Sequence, residues 1–181
     1  MKRSPIFILG LLPLALICSS VHAQNPQTAQ QILAEATSRA AQEQKIVFFE
    51  LSASWCRPCH LLDAFLASPD IAPIVQKYFD RAEIHYQEKV GKHPELETPG
   101  SDALAAHFGS PQGVPWFAFL DASGQPIVTS DRPGTGNIGY PDRPEEIDWF
   151  MTMLEKAAPS MSAEETHKIE SSLRRASSYH H

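Results

Sequence analysis

Cys56 and Cys59 stand with two residues between them within Trp55-Cys56-Arg57-Pro58-Cys59-His60. Two thiols at this spacing can close on each other and reopen, the chemistry of thiol–disulfide exchange. The attacking species is a thiolate, and a free cysteine titrates near about 8.5, so its surroundings must favour the anion. The run Ile46-Val47-Phe48-Phe49-Glu50-Leu51 just before the pair reads as a buried strand, and Cys59 to Phe65 continues as a helix. A strand that delivers the pair to a helix start gives Cys56 the macrodipole and the free amides of the first turn. Cys56 is therefore expected at the exposed edge of that helix. Arg57 adds a formal positive charge beside it, and His60 another when protonated. Cys59, a turn inside, is expected to be buried and less ionised. This asymmetry makes Cys56 the nucleophile and Cys59 the resolving thiol. Pro58 fits the first turn, where its missing N–H is not needed.

Glu50 is the second chemical residue. It is an ionisable group inside an otherwise apolar strand, flanked by Phe48, Phe49 and Leu51. A carboxyl buried there has a raised pKa and can exchange a proton with Cys59 as that thiol leaves or attacks.

These residues resemble the thioredoxin superfamily. Trp55, Cys56, Pro58 and Cys59 match its active-site motif, and Glu50 stands at the offset of its buried acid, six residues before the first cysteine. Val114-Pro115, before the apolar run Trp116–Leu120, matches the proline that the family holds cis opposite the cysteines. The resemblance covers roughly residues 46–156. It implies an α/β thioredoxin fold, a central mixed sheet with flanking helices, here with extra N- and C-terminal helices. It also implies thiol–disulfide exchange with protein thiols and disulfides, without a cofactor. Trp55, Arg57, Val114 and Pro115 are then the substrate-binding residues. Arg57 departs from the family's usual glycine, and residues 88–101 and 131–143 read as added loops.

The N-terminus reads as a secretory signal peptide over residues 1–23. Lys2 and Arg3 form the positive region, Ile6 to Cys18 is the apolar region, and Val21-His22-Ala23 is the cleavage site. The apolar run is shorter than the about 20 residues that span a bilayer. Cleavage removes Cys18, the third cysteine, and leaves one close pair in an exported chain, a pair for chemistry rather than for stapling. It also leaves 13 basic against 21 acidic residues, a net of −8, which speaks against nucleic acid as a partner. The localisation expected is periplasmic, with a membrane redox partner as one source of electrons.

The rest reads as one α/β domain over residues 46–158. A helix precedes it within residues 24–45, and a C-terminal helix and tail follow over 159–181. Ser68-Pro69-Asp70 reads as an N-cap before a helix with Ile71, Ile74, Val75, Tyr78 and Phe79 on one face. Residues 81–87 alternate as a half-buried strand, with Ala82, Ile84 and Tyr86 inward. A short helix follows over 102–108, then the strand 116–120, a turn at Asp121–Gly124 and a returning strand over 126–129. A helix starts at Pro144 with Ile147, Phe150, Met151 and Leu154 inward and is stopped by Pro159. Ser162 to Glu165 has capping-box spacing before the last helix. His180 and His181 belong to a polar, frayed tail. In the second added loop, Ile138 and Tyr140 either pin the segment to the core or flank a groove beside Cys56.

Three other readings use the same residues. Cys56-Arg57-Pro58-Cys59-His60 fits the c-type haem attachment pattern, with His60 as one axial ligand and Met151, Met153 or Met161 as another. Cys56 and Cys59 supply half of a zinc site that His60, His85, His93 or His107 would complete, though none of these stands at ligand spacing. A client-binding or chaperone module of the same fold would use the cysteines only to tune contact. Glu50, Trp55 and Val114-Pro115 have a role in exchange and none in the haem reading.

Overall fold

A computed structural model describes residues 26–179. The signal-peptide reading of residues 1–23, Cys18 included, and the terminal His180-His181 lie outside the described residues. The elements run α1 (Ala29–Glu43), β1 (Ile46–Ser52), α2 (Arg57–Leu66), α3 (Ala72–Tyr78), β2 (Phe79–His85), α4 (Ser101–His107), β3 (Trp116–Leu120), β4 (Pro126–Thr129), β5 (Asp131–Arg132), β6 (Gly136–Asn137), α5 (Pro144–Ala157) and α6 (Ala163–Ala176). Four strands form one sheet in the order β2-β1-β3-β4, and β5 pairs with β6 in a two-residue ribbon. β1 runs parallel to β2 and antiparallel to β3, so the sheet is mixed, with β1 at its centre.

Every residue of β3, and every residue of β1 after Ile46, is buried. Strands covered on both faces read as unbroken apolar runs, because alternate side chains enter two different cores. Val47, Phe49 and Leu51 of β1, Ala82 and Ile84 of β2, and Trp116, Ala118 and Leu120 of β3 pack under α1 and α4. Phe48, Phe79, Phe117 and Phe119 enter the other core with Leu62, Phe65 and Leu66 of α2, Ile74 of α3, and apolar residues of α5 and α6. There the Phe48 ring meets Phe117 and Phe119 at centroid distances of 5.4 and 5.2 Å. Glu50 shares the parity of Phe48, so it faces the layer that holds α2.

Two local readings are corrected. Ser68 does not cap α3; its N–H and hydroxyl both return to the Phe65 carbonyl at the end of α2. α3 begins later, with Ile71 as an N-cap lacking a side-chain bond and Pro73 in its first turn. On α5 it is Met153 that is fully buried, while Met151 is only partly covered, so the apolar face runs Ile147, Phe150, Met153, Leu154, Ala157.

The C-terminal helix is part of this core. The Ser162 hydroxyl accepts the Glu165 N–H, the reciprocal bond closes the capping box, and Ile169 and Leu173 are buried. Glu165 also accepts from Lys77 and from the Tyr78 hydroxyl, both at 2.8 Å, tying α6 to α3. No described helix is long and apolar enough to cross a membrane. Leu173→Ala should cost about 2–5 kcal/mol by urea denaturation, and Ser162→Ala about 1 kcal/mol. Both should act within a single transition. A separate early transition in Leu173→Ala would make α6 an appendage instead of a core element.

Candidate active site

β1 ends at Ser52, and four residues later Cys56 is the N-cap of α2. Its backbone is extended, and its Sγ accepts the N–H of Cys59 at 3.1 Å. The sulfur thus occupies the place where an N-cap oxygen normally sits, against an amide that the helix leaves unpaired. Cys56 and Cys59 are joined as a disulfide, with their Cα atoms 5.3 Å apart. Cys56 does not stand at an exposed edge: it is 2 % accessible, packed with Ala53, Cys59 and Val114. The cause is Val114 across the site, whose carbonyl lies against the capping sulfur. Trp55, Arg57, Pro58 and His60 around it are exposed. The His60 imidazole Nε2 lies 2.8 Å from the Ser54 carbonyl, closing a link from helix back to loop.

Behind the helix lies Glu50, fully buried. Burial pushes its carboxyl up to about 8, against the opposing pull of the Arg81 guanidinium. Arg81 donates to Glu50 Oε2 at 2.6 Å and, through the same nitrogen, to Asp63; Glu83 stands 3.6 Å from it. Asp63 is four residues past Cys59, one turn along α2. The shared arginine therefore ties Glu50 to α2 at Asp63, one turn past Cys59. Glu50 Oε1 and Arg81 Nε are the buried side-chain atoms without a hydrogen-bond partner among the described residues. Oε1 is the oxygen free to carry the proton that burial favours.

The opposite wall is Val114-Pro115, whose peptide bond is cis. The Val114 carbonyl lies 3.4 Å from Cys56 Sγ. The second added loop supports this wall from below. Asn137 donates from Nδ2 to the Pro115 carbonyl at 2.9 Å, and the Gly139 N–H returns to Asn137 Oδ1. Ile138 is buried in the core, and Tyr140 packs against the same cluster. These two residues pin the loop, and Asn137 is the one that reaches the site.

The first added loop holds the cysteine loop from the other side. Glu88 is fully buried, and its carboxylate accepts the Ser54 N–H at 2.7 Å and the Ser54 hydroxyl at 2.6 Å. His85 Nδ1 is 3.0 Å away. Burial works against the Glu88 charge, but the Ser54 bonds and His85 outweigh it and hold the carboxyl below its ordinary value. Glu97 in turn accepts the N–H groups of Gln87 and Glu88. The Trp55 indole donates to the Gln87 carbonyl at 3.0 Å. Gly91 lies flat against that indole: a Cβ there would fall 2.2 Å from Trp55 Cδ1.

The family model described as thioredoxin-like matches residues 28–122. The chain belongs to the thioredoxin-like family. No protein among the curated sequences matches it. Among solved structures it is similar to a disulphide isomerase from Xylella fastidiosa Temecula1, with 17% identity, 90% of this chain and 98% of that one covered, and a TM-score of 0.50. It is also similar to a DsbH oxidoreductase (20% identity, 84% and 95% covered, TM-score 0.45) and to a mutant thioredoxin from Halobacterium salinarum NRC-1 (18%, 73% and 88%, 0.43). At 17% identity the first likeness speaks for the fold alone.

Within this thioredoxin-like frame Cys59 and Val114 pack against Cys56, Trp55 and Arg57 flank it in the chain, Pro115 follows Val114 through the cis bond, and Glu50 is joined to α2 through Arg81 and Asp63. Sequence reasoning missed Arg81, Asp63, Glu88 and Asn137. Arg81 lies on the polar side of the alternating strand, but only the register that sets Glu83 opposite Glu50 brings it within reach of that carboxyl.

A raised carboxyl pKa fixes the sign of a pH effect. Between the unfolded value of 4.5 and about 8, the native state holds a proton on Glu50 that the unfolded state has lost. Stability from this group therefore falls as pH rises through that window, by at most about 1.4 kcal/mol per unit. The difference in urea stability between the protein and Glu50→Gln should show this slope between about pH 5 and 8 and be flat above. A flat difference throughout would mean that Glu50 titrates normally. Gly91→Ala should cost about 1–3 kcal/mol and move the Trp55 ring, read as a shift in tryptophan fluorescence.

Proposed function

We propose that this chain is an exported thiol–disulfide oxidoreductase acting on protein thiols and disulfides. The observation that carries the reading is Cys56 Sγ capping α2 within a disulfide to Cys59, with a buried, proton-holding Glu50 beneath the same helix.

In the reducing direction the Cys56 thiolate, favoured by the Cys59 amide and by Arg57, attacks a client disulfide. A mixed disulfide forms and one client thiolate leaves. The ionised fraction of Glu50, a minority below about pH 8, then takes the Cys59 proton, the Cys59 thiolate attacks Cys56 Sγ, and the second client thiolate leaves. Two electrons pass from the Cys56–Cys59 dithiol to the client. The oxidising direction is the reverse. The backbone of Val114, facing Cys56, is the place for an extended client segment, and Trp55 and Arg57 line its approach.

The haem alternative would need both sulfurs bonded to a porphyrin and His60 turned to iron. Here the sulfurs bond each other and His60 meets Ser54. The segment over residues 1–23 supports export to the periplasm, and N-terminal sequencing of the secreted protein should start at Gln24.

The test is alkylation rate against pH for Cys59→Ser and Cys56→Ser. The Cys56 thiol of the first should titrate below about 8.5, and the Cys59 thiol of the second should not. Cys59→Ser should also trap mixed disulfides with protein clients. Two indistinguishable profiles near the free-thiol value would overturn the role assignment. Client binding without turnover of a model disulfide would favour the chaperone reading.

A further inference from the structure

The rim around the disulfide has a charge unlike that of the chain. The protein is acidic, with a formal net charge of −6. Yet the two segments that meet at Trp55 expose Arg57, Lys89 and Lys92. None of these three has an ion-pair partner among the described residues. Three of the four acids of the same segments are bonded away from the rim: Glu88 to Ser54, Glu97 to the Gln87 and Glu88 amides, and Asp63 to Arg81, while Glu95 is exposed, 3.4 Å from His93 on the far side of the turn over residues 88–93 in sequence. The third side of the site, residues 109–115, carries no charged residue.

The backbone that carries the two lysines is also fixed in place. The turn over residues 88–93 is closed by Lys92 N–H to the Lys89 carbonyl at 3.1 Å and His93 N–H to the Glu88 carbonyl at 3.0 Å. Gly91 packs on the Trp55 indole, and the Gln87 carbonyl accepts both that indole and the Val90 N–H. Lys89 and Lys92 are thus each two residues or fewer from the backbone that touches Trp55. Between them Val90 is 67 % exposed, beside a Trp55 that is 40 % exposed.

An apolar shelf flanked by three unpaired cations next to a disulfide is complementary to one kind of peptide. We propose that this rim docks client segments in which acidic residues flank the reacting cysteine, with an apolar neighbour resting on Trp55 and Val90. The proposal rests on the exchange reading above and names its client class. Complementary charge at a rim acts mainly on encounter and choice of partner, and salt weakens it.

The experiment uses the reduced protein and two short peptide disulfides, one with glutamates beside the cysteine and one with lysines. Cys56 attacks the peptide disulfide and releases one peptide thiolate, and Cys59 closes on Cys56 and releases the other. Each rate is divided by that of the same peptide with 2-mercaptoethanol, which removes its intrinsic reactivity. At low salt the acidic peptide should be preferred about fivefold or more, and the preference should fall towards one at about 0.5 M salt. In Lys89→Glu/Lys92→Glu the preference should vanish or invert. Because the readout is a ratio of two peptides, a change in Cys56 reactivity cancels. If the double variant does not fold, Lys89→Glu alone and the salt series carry the test. Equal normalised rates at low salt, a preference for the basic peptide, or a preference indifferent to salt and to the substitutions would overturn the proposal. The uncharged 2-hydroxyethyl disulfide separates the two levels. Failure to react with it would overturn the exchange reading and the docking proposal with it, whereas reaction without charge preference would overturn only the docking proposal.

Discussion

A carboxyl in the middle of the central strand is the constraint around which this structure is arranged. Glu50 lies on a strand buried on both faces, where an ionised group is costly unless it is paired. Arg81 supplies the pair, but Asp63 draws on the same nitrogen and Glu83 stands close by. Burial therefore outweighs attraction, and Glu50 favours its protonated form. That balance leaves a carboxyl that favours its neutral form in the layer beneath the helix that carries Cys59. Two further carboxylates around one arginine act as tuning. With Glu50 as its single partner, Arg81 would hold that carboxyl more firmly in the charged state.

The same strand sets the position of the disulfide. β1 is gripped by β2 on one side and β3 on the other, so its end point is rigid. Between that end and α2 only a few residues remain, and they are tied at several points. Glu88 takes both donors of Ser54, His60 meets its carbonyl, and Gln87 takes the Trp55 indole. A capping sulfur acts on chemistry only if the helix amides and the sulfur keep their alignment, and this set of bonds keeps it. Asn137 does the corresponding work for Pro115 on the facing wall.

The parts legible in the sequence were those with local signals. Glu50 stood out because an ionisable residue interrupts an apolar run, and Cys56 and Cys59 because their spacing allows little else. The strands over 46–52 and 116–120 were legible because both of their faces are buried, which leaves no polar alternation. Ser68 shows how a local signal misleads: its hydroxyl serves the end of α2, and three residues separate it from the start of α3. Arg81 and Glu88 were not legible, since their roles depend on which face of β2 lies under α2 and on a polar loop folding inward. Only tertiary packing makes a loop glutamate the anchor of a cysteine loop. The burial of Cys56 was missed for a related reason. A helix start predicts a favourable field for the sulfur, while its accessibility depends on Val114 across the site.

The central claim is that the Cys56–Cys59 pair is held for exchange and does not serve as a staple. The most direct measurement is its equilibrium reduction potential against glutathione, followed by thiol trapping. The account predicts a reversible two-electron couple in the range of exchange catalysts, between about −270 and −120 mV. A potential below about −300 mV, where structural disulfides resist reduction by glutathione, would contradict it.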